Sequence, residues 1–198
     1  MEALLWRDYL CPWCYLGRDR TQLMERLGVR VTPLPFELHP EVPPEGRPVR
    51  PGGRLERVLE LVGSECDALG IPFRKPARIA NTRRALETAE VLRLKHPGAF
   101  AAFDDGCYRA HWVEGRDLGD PAVLASLVAE AGADPQVVDE ELREGLGVAA
   151  LHRSMTLARE HGVASTPAWW VGDRLLIPGA QPRATIARWV GRLLERAG

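Results

Sequence analysis

Two cysteines three positions apart, Cys11 and Cys14, stand in the segment Asp8-Tyr9-Leu10-Cys11-Pro12-Trp13-Cys14-Tyr15-Leu16-Gly17. They follow a short apolar run and open a helical pattern. A helix N-terminus offers unpaired N–H groups and a partial positive charge, and both favour a thiolate at Cys11. Pro12 suits the first helical position, where no N–H is needed and its fixed φ is already helical. Cys14 then falls one turn on, behind Cys11 and less exposed. Such a dithiol can close to a disulfide. Cys11 is the expected nucleophile of lowered pKa, and Cys14 the expected resolving thiol.

Other chemistries fit a Cys-x-x-Cys pair. It can be half of a zinc site, but that needs a second pair of ligands. Cys66 and Cys107 stand alone, and His39, His96, His111, His152 and His161 form no closely spaced His pair. A purely structural disulfide would close too short a loop to restrain the unfolded chain much. Redox chemistry is the reading that context favours, with no metal and no bound cofactor expected, while a zinc-stabilised peptide-binding module stays open as an alternative.

The chain has 198 residues, 45% hydrophobic and 27% charged, with a formal net charge of −1. This fits one globular domain, or one carrying a large insertion. Near-neutral charge gives no support for nucleic acid or an anionic membrane as main partner. No apolar run approaches transmembrane length. The opening residues Met1 to Asp8 lack the basic start and long apolar run of a signal peptide. A cytoplasmic protein is therefore expected, in a compartment where a Cys-x-x-Cys is more often catalytic than structural.

The elements that must position the cysteines can be read in order. Residues 2–8 predict a strand, Pro12 to Leu27 a helix stopped by Gly28, and Val29 to Leu38 a second strand made irregular by Pro33 and Pro35. That is a βαβ opening with the cysteines at the C-terminal end of the first strand, where open α/β sheets place their chemistry. His39 to Gly53 is a Pro/Gly-rich connection. Helical patterns then follow at 55–69, 82–94, 99–112, after Asp120-Pro121, after Asp134-Pro135, and at 148–161, with no strand signal between them. After Gly162 two apolar runs flank Gly172-Asp173 as a hairpin, and Ile186, Trp189, Val190 and Leu193 mark a last helix. The fold class is α/β: a βαβ…ββα unit of residues 1–50 and 162–198, with an all-helical insertion over 51–161.

This layout resembles the thioredoxin superfamily, and within it the DsbA-like branch. Six segments extend the likeness to the FrnE-type DsbA-family oxidoreductases: Cys11 to Gly17, Pro35 to Pro40, Asn81-Thr82-Arg83, Glu114 to Asp117, Gly162 to Pro167, and Gly179-Ala180-Gln181. Two features depart from that pattern. Ala85-Leu86 stands where the family often has Ala-His, and no extra C-terminal cysteine pair is present. The resemblance implies a thiol–disulfide oxidoreductase acting on protein or small-molecule thiols, glutathione among them. It also implies a cis Pro167 across from Cys11, with the Thr166 backbone offered to a bound substrate. Pro-Trp in place of DsbA's Pro-His puts no imidazolium beside Cys11, so a less extreme thiol and a less oxidising disulfide are expected. Glutathione-dependent isomerases of the 2-hydroxychromene-2-carboxylate type and kappa-class transferases share the insertion, but typically have Ser for Cys11 and no resolving cysteine.

Further residues carry expectations. Pro12, Trp13, Phe36, Thr166 and Pro167 are expected to bind substrate. Asp8 reads either as a cap at the start of the helix or as a proton relay to the buried thiol. Of Trp169 and Trp170, strand alternation lets at most one face the site. Cys66 and Cys107 read as buried free thiols, with a second disulfide as the alternative. Tyr108, His111 and Trp112 share a helix that could cover the site.

Overall fold

The computed structural model describes residues 1–196; the last two positions of the expected 162–198 segment lie outside them. The chain runs β1 (Glu2–Arg7), α1 (Pro12–Arg26), β2 (Arg30–Pro35), β3 (Arg47–Pro48), α2 (Arg54–Leu69), β4 (Arg78–Ile79), α3 (Arg83–Lys95) and α4 (Pro97–Arg109). A π-helical turn, Ala110–Glu114, extends α4. Then come α5 (Pro121–Glu130), α6 (Pro135–Arg143), α7 (Leu146–Glu160), β5 (Ala168–Val171), β6 (Leu175–Pro178) and α8 (Arg183–Glu195). No helix among the described residues is long and apolar enough to cross a membrane.

The main sheet has the order β2-β1-β5-β6. β1 pairs in parallel with β2 and antiparallel with β5, so its backbone is bonded on both edges. Its side chains alternate between two buried faces. Ala3 and Leu5 pack with Met24, Trp169 and Ile186, under α1 and α8. Leu4 and Trp6 pack with Leu34, Ala158 and Val163, under α7. Trp6 Nε1 donates to the Ser154 carbonyl at 3.3 Å, and the Ser154 hydroxyl donates to the Pro35 carbonyl at 2.7 Å. These bonds fix α7 against β1 and β2.

β2 is an edge strand, which accommodates Pro33 and Pro35 without loss of an inner ladder bond. It is shorter than the expected 29–38 because β1 ends at Arg7, opposite Pro35. The hairpin turns at Gly172-Asp173 with φ of 58° and 54°, the positive values a tight hairpin twist requires. Asp120 and Asp134 cap α5 and α6, accepting from Ala122 N–H at 2.8 Å and Gln136 N–H at 2.9 Å.

The stretch 51–161, read as wholly helical, contains one departure, β4, which forms a two-stranded ladder with β3 of the preceding connection through Arg47–Ile79 and Pro48–Arg78. Two residues per strand are too few for a period-two pattern to register.

The largest apolar cluster joins Tyr9, Cys11, Cys14 and Leu16 to Leu59, Leu86, Phe103, Trp112 and Leu118 of the helical block. Helix α1 is therefore packed on both sides, against the sheet and α8 on one and the helices on the other. Close packing inside the block has a clear test. A Cβ on Gly147 of α7 would stand 2.8 Å from the Glu87 carbonyl oxygen of α3, whereas one on Gly191 of α8 meets nothing within 4 Å. Gly147→Ala should destabilise the fold by about 1–3 kcal/mol, and Gly191→Ala should stabilise it by about 0.5–1 kcal/mol. Urea unfolding of both variants checks the pair.

Candidate active site

Cys11 is the N-cap of α1, with extended backbone angles of φ −81° and ψ 115°, and Pro12 takes the first helical position. No side chain caps this end. The Cys11 thiol donates to the Thr166 carbonyl at 3.4 Å. The Thr166–Pro167 peptide is cis, as the family resemblance implied. The Thr166 hydroxyl is buried and has no hydrogen-bond partner among the described residues, which leaves it free to donate to a thiolate.

The two sulfurs differ in environment. A hydrogen bond from the Cys14 side chain favours the Cys11 thiolate most, burial opposes it, and Thr166 and the Cys14 backbone add to the favourable side. The net result lowers the Cys11 pKa. Burial pushes the Cys14 thiol well above its ordinary range, and the neighbouring Cys11 pushes it further. All four cysteines are free thiols. Burial raises the Cys66 thiol to about 11 and sends Cys107 well above the ordinary range.

A cleft of about 500 Å³ opens over Cys11. Leu10, Pro12, Trp13 and Thr166 form one wall, and Leu55, Val58, Leu59, His111 and Trp112 of the helical block form the other. Arg47, Arg54 and His39 stand among these apolar groups as its charged or polar members. The π-helical turn presents His111 and Trp112, with their rings edge to face at 4.6 Å and Trp112 Nε1 donating to the Tyr9 carbonyl at 2.8 Å. Widened turns of this kind often mark functional positions.

Three expectations are placed differently. Phe36 does not line the cleft. Its N–H continues the ladder to the Arg7 carbonyl at 2.9 Å, and strand alternation sends its ring with Leu34 toward α7. Leu38 lines the cleft in its stead. Pro167 and Trp169 line a separate cavity that reaches Cys14, as does Tyr108, so Tyr108 is not part of the cover over Cys11. Trp170 lies on the other sheet face, stacked on His161 at 4.9 Å.

The Asp8 side chain neither caps α1 nor bonds to a sulfur among the described residues. Its carboxylate accepts from Thr82 Oγ1 at 2.6 Å, Leu38 N–H at 2.8 Å and Leu10 N–H at 3.3 Å. Burial raises its pKa despite these bonds. Thr82, the N-cap of α3, is committed to Asp8, and at that helix start Asn81 Oδ1 accepts from Arg83 N–H at 3.1 Å. Sequence reasoning missed the group behind Cys14. Arg7 pairs with Asp104, which also accepts from Tyr9 Oη at 2.7 Å. An arginine closing the apolar run Ala3 to Trp6 of the central strand was the signal.

A four-stranded sheet with a Cys-x-x-Cys at the N-terminus of its first helix and a cis-proline loop beside it is the arrangement of thioredoxin-like proteins. The chain belongs to the DSBA-like thioredoxin domain family, which it matches over residues 4–190. A probable DsbA oxidoreductase from Streptomyces coelicolor superposes with a TM-score of 0.85 at 22% identity, over 97% of this chain and 89% of that one. A 2-hydroxychromene-2-carboxylate isomerase gives 0.79 at 20% identity, over 100% and 98%. The cytosolic disulfide reductase DsbM from Pseudomonas aeruginosa, solved with GSH, gives 0.68 at 22% identity, over 98% and 99%. At these identities the likeness is one of fold. No curated protein matches the chain by sequence.

Two measurements follow from the electrostatics. Iodoacetamide should modify Cys11 with a pH midpoint below the ordinary thiol value of about 8.5, and leave Cys14 unmodified in the same range. Equal midpoints for the two would contradict the asymmetry. His111 is buried, which lowers its pKa from 6.5 to about 4. Between those values the unfolded chain binds more protons than the folded one, so stability falls as the pH drops through that window. Each pH unit across it should cost about 1.4 kcal/mol. Denaturation at pH 7 and pH 4.5 should show this loss, and His111→Gln should reduce it.

Proposed function

We propose that this protein is a thiol–disulfide oxidoreductase of the FrnE type, working in the cytoplasm. Residues 1–50 and 162–198 carry the dithiol, and residues 51–161 form the helical wall of the substrate cleft. The observation that carries the reading is the asymmetry of the sulfurs. Cys11 is favoured as thiolate on the floor of a cleft, and Cys14 is held as thiol one turn behind it.

The Cys11 thiolate attacks one sulfur of a substrate disulfide. A mixed disulfide forms and the other substrate sulfur leaves as thiolate, to be protonated by water. Cys14 then loses its proton and attacks Cys11 Sγ. The second substrate sulfur leaves, and two electrons have passed from the dithiol to the substrate. A thiol such as glutathione restores the dithiol by the reverse exchange, and with a dithiol substrate the same steps run toward disulfide formation. Pro12, Trp13 and Thr166 line the floor where the substrate sulfur would dock. The Thr166 backbone offers strand-like pairing to an extended peptide or to glutathione. The neighbour DsbM, a cytosolic disulfide reductase solved with GSH, supports both the compartment and the thiol partner.

The decisive experiment equilibrates purified protein with glutathione buffers and reads the Cys11–Cys14 state by alkylation and mass. The pair should open and close reversibly. With Pro-Trp between the cysteines, its potential should be more negative than DsbA's value of about −120 mV and nearer thioredoxin's, about −270 mV. Cys14→Ser should trap substrate at Cys11, and Cys11→Ser should abolish exchange. A pair that never closes overturns the reading and favours a glutathione-dependent isomerase. One that releases zinc on closing favours a zinc-stabilised binding module.

A further inference from the structure

Four buried side-chain polar atoms among the described residues lack a hydrogen-bond partner: Arg7 Nε and Nη1, Tyr108 Oη and Thr166 Oγ1. Three of them belong to residues that line a single cavity of about 170 Å³. That cavity reaches Cys14 and not Cys11, just as the cleft reaches Cys11 and not Cys14. It has room for several waters at ~30 Å³ each, and its walls carry the polar groups that hold water.

The unpartnered groups are held in place by others that are satisfied. The Arg7 guanidinium pairs with Asp104 through one nitrogen and lies 4.7 Å over the Tyr9 ring and 5.7 Å from the Tyr108 ring. Tyr9 donates to Asp104 at 2.7 Å and meets Tyr108 edge to face at 5.0 Å. A buried cation with two unpartnered nitrogens and a phenol with an uncommitted O–H are costly unless something accepts from them. Among the described residues no acceptor does so. An anion that exists only during reaction could.

We infer that this cavity serves the resolving step, with Arg7 and Tyr108 as positioning residues that stabilise the Cys14 thiolate and with water in the cavity carrying its proton to solvent. The inference rests on the thiol–disulfide reading of the cysteines. In the step, Cys14 S–H gives its proton to a cavity water. Its sulfur attacks Cys11 Sγ of the mixed disulfide, the Cys11–substrate bond breaks, and the substrate sulfur leaves with the electron pair. Burial alone leaves little Cys14 thiolate at neutral pH, so a means of favouring that anion has a clear use. The charged and titratable groups facing the cavity are Arg7 of β1, Arg18 and Glu25 of α1, and Asp104 and Tyr108 of α4, with Cys11 adjoining. Arg18 is paired with Asp105.

The test is a stopped-flow reaction of the reduced full-length protein with 5,5′-dithiobis(2-nitrobenzoate), followed from pH 5 to 9. The first release of thionitrobenzoate reports Cys11. The second reports attack by Cys14, and it is identified by its loss in Cys14→Ser. Tyr108→Phe removes no existing hydrogen bond. It should slow the second phase about tenfold at pH 7 and move its midpoint up by about one unit, with the first phase unchanged. Asp104→Asn, which frees Arg7 from its partner, should also shift the second phase. The inference is overturned if Tyr108→Phe leaves the second phase as in wild type, or slows both phases alike. Tyr108→Phe decides alone where Asp104→Asn does not fold. A wild-type protein with no second phase at all would instead sink the oxidoreductase reading.

Discussion

The buried Asp8 carboxylate accepts hydrogen bonds from Thr82 Oγ1, Leu38 N–H and Leu10 N–H, and the geometry of the site depends on that junction. It joins three pieces of chain: the end of β1, the exit from β2, and the residue that opens α3. Burying a carboxylate is costly, and only a full set of donors offsets it. The raised pKa of Asp8 records the part of the cost that remains. The same residue's carbonyl accepts the Cys11 N–H at 3.2 Å, so the turn carrying the dithiol is fixed from the carboxylate outward. The helical block is thereby bonded to the residue three positions before the nucleophile.

From this fixed turn the difference between the sulfurs follows. Cys11 sits at the open end of a helix, where the Cys14 thiol donates to it and the Thr166 side chain and the Cys14 backbone add to that. Cys14 sits one turn in, where burial and the neighbouring Cys11 outweigh the Thr166 side chain and the Asp8 backbone that favour its thiolate. Desolvation acts on both, but only Cys11 has enough donors to overcome it. The proposed division of labour between attacking and resolving thiol thus follows from position along one helical turn, and it needs no charged residue between the cysteines.

What the sequence made legible is what is local. The Cys-Pro-Trp-Cys turn, the Asp-Pro caps of α5 and α6, the Gly172-Asp173 hairpin and the βαβ opening are each set by a few neighbouring residues. The Thr166–Pro167 loop was legible through family resemblance. What was not legible depends on contacts between distant segments. Thr82 is 74 residues from Asp8, so its hydroxyl could not be assigned to a buried carboxylate rather than to the start of α3. Phe36 was expected beside the sulfurs, but one further ladder bond past Pro35 sends it to the opposite side of the sheet. Arg7 was visible as the charge that ends a mostly apolar strand, yet its partner Asp104 lies on a helix whose docking no periodicity describes.

The cleft shows why the dithiol alone does not encode a substrate. One wall, from Leu10 to Trp13 with Thr166, is tied to the redox turn and cannot vary without disturbing the sulfurs. The other wall, Leu55, Val58, Leu59, His111 and Trp112, comes from helices that touch the sulfurs only through the shared core. Changes there alter the shape and polarity of the cleft while leaving the Cys11 environment intact. Arg47 and Arg54 lie toward that variable side, where a charged group on a bound thiol would meet them without entering the low-dielectric space around Cys14. In the proposed reaction, substrate choice and sulfur chemistry are therefore carried by different parts of the chain, held in register by the bonds to Asp8.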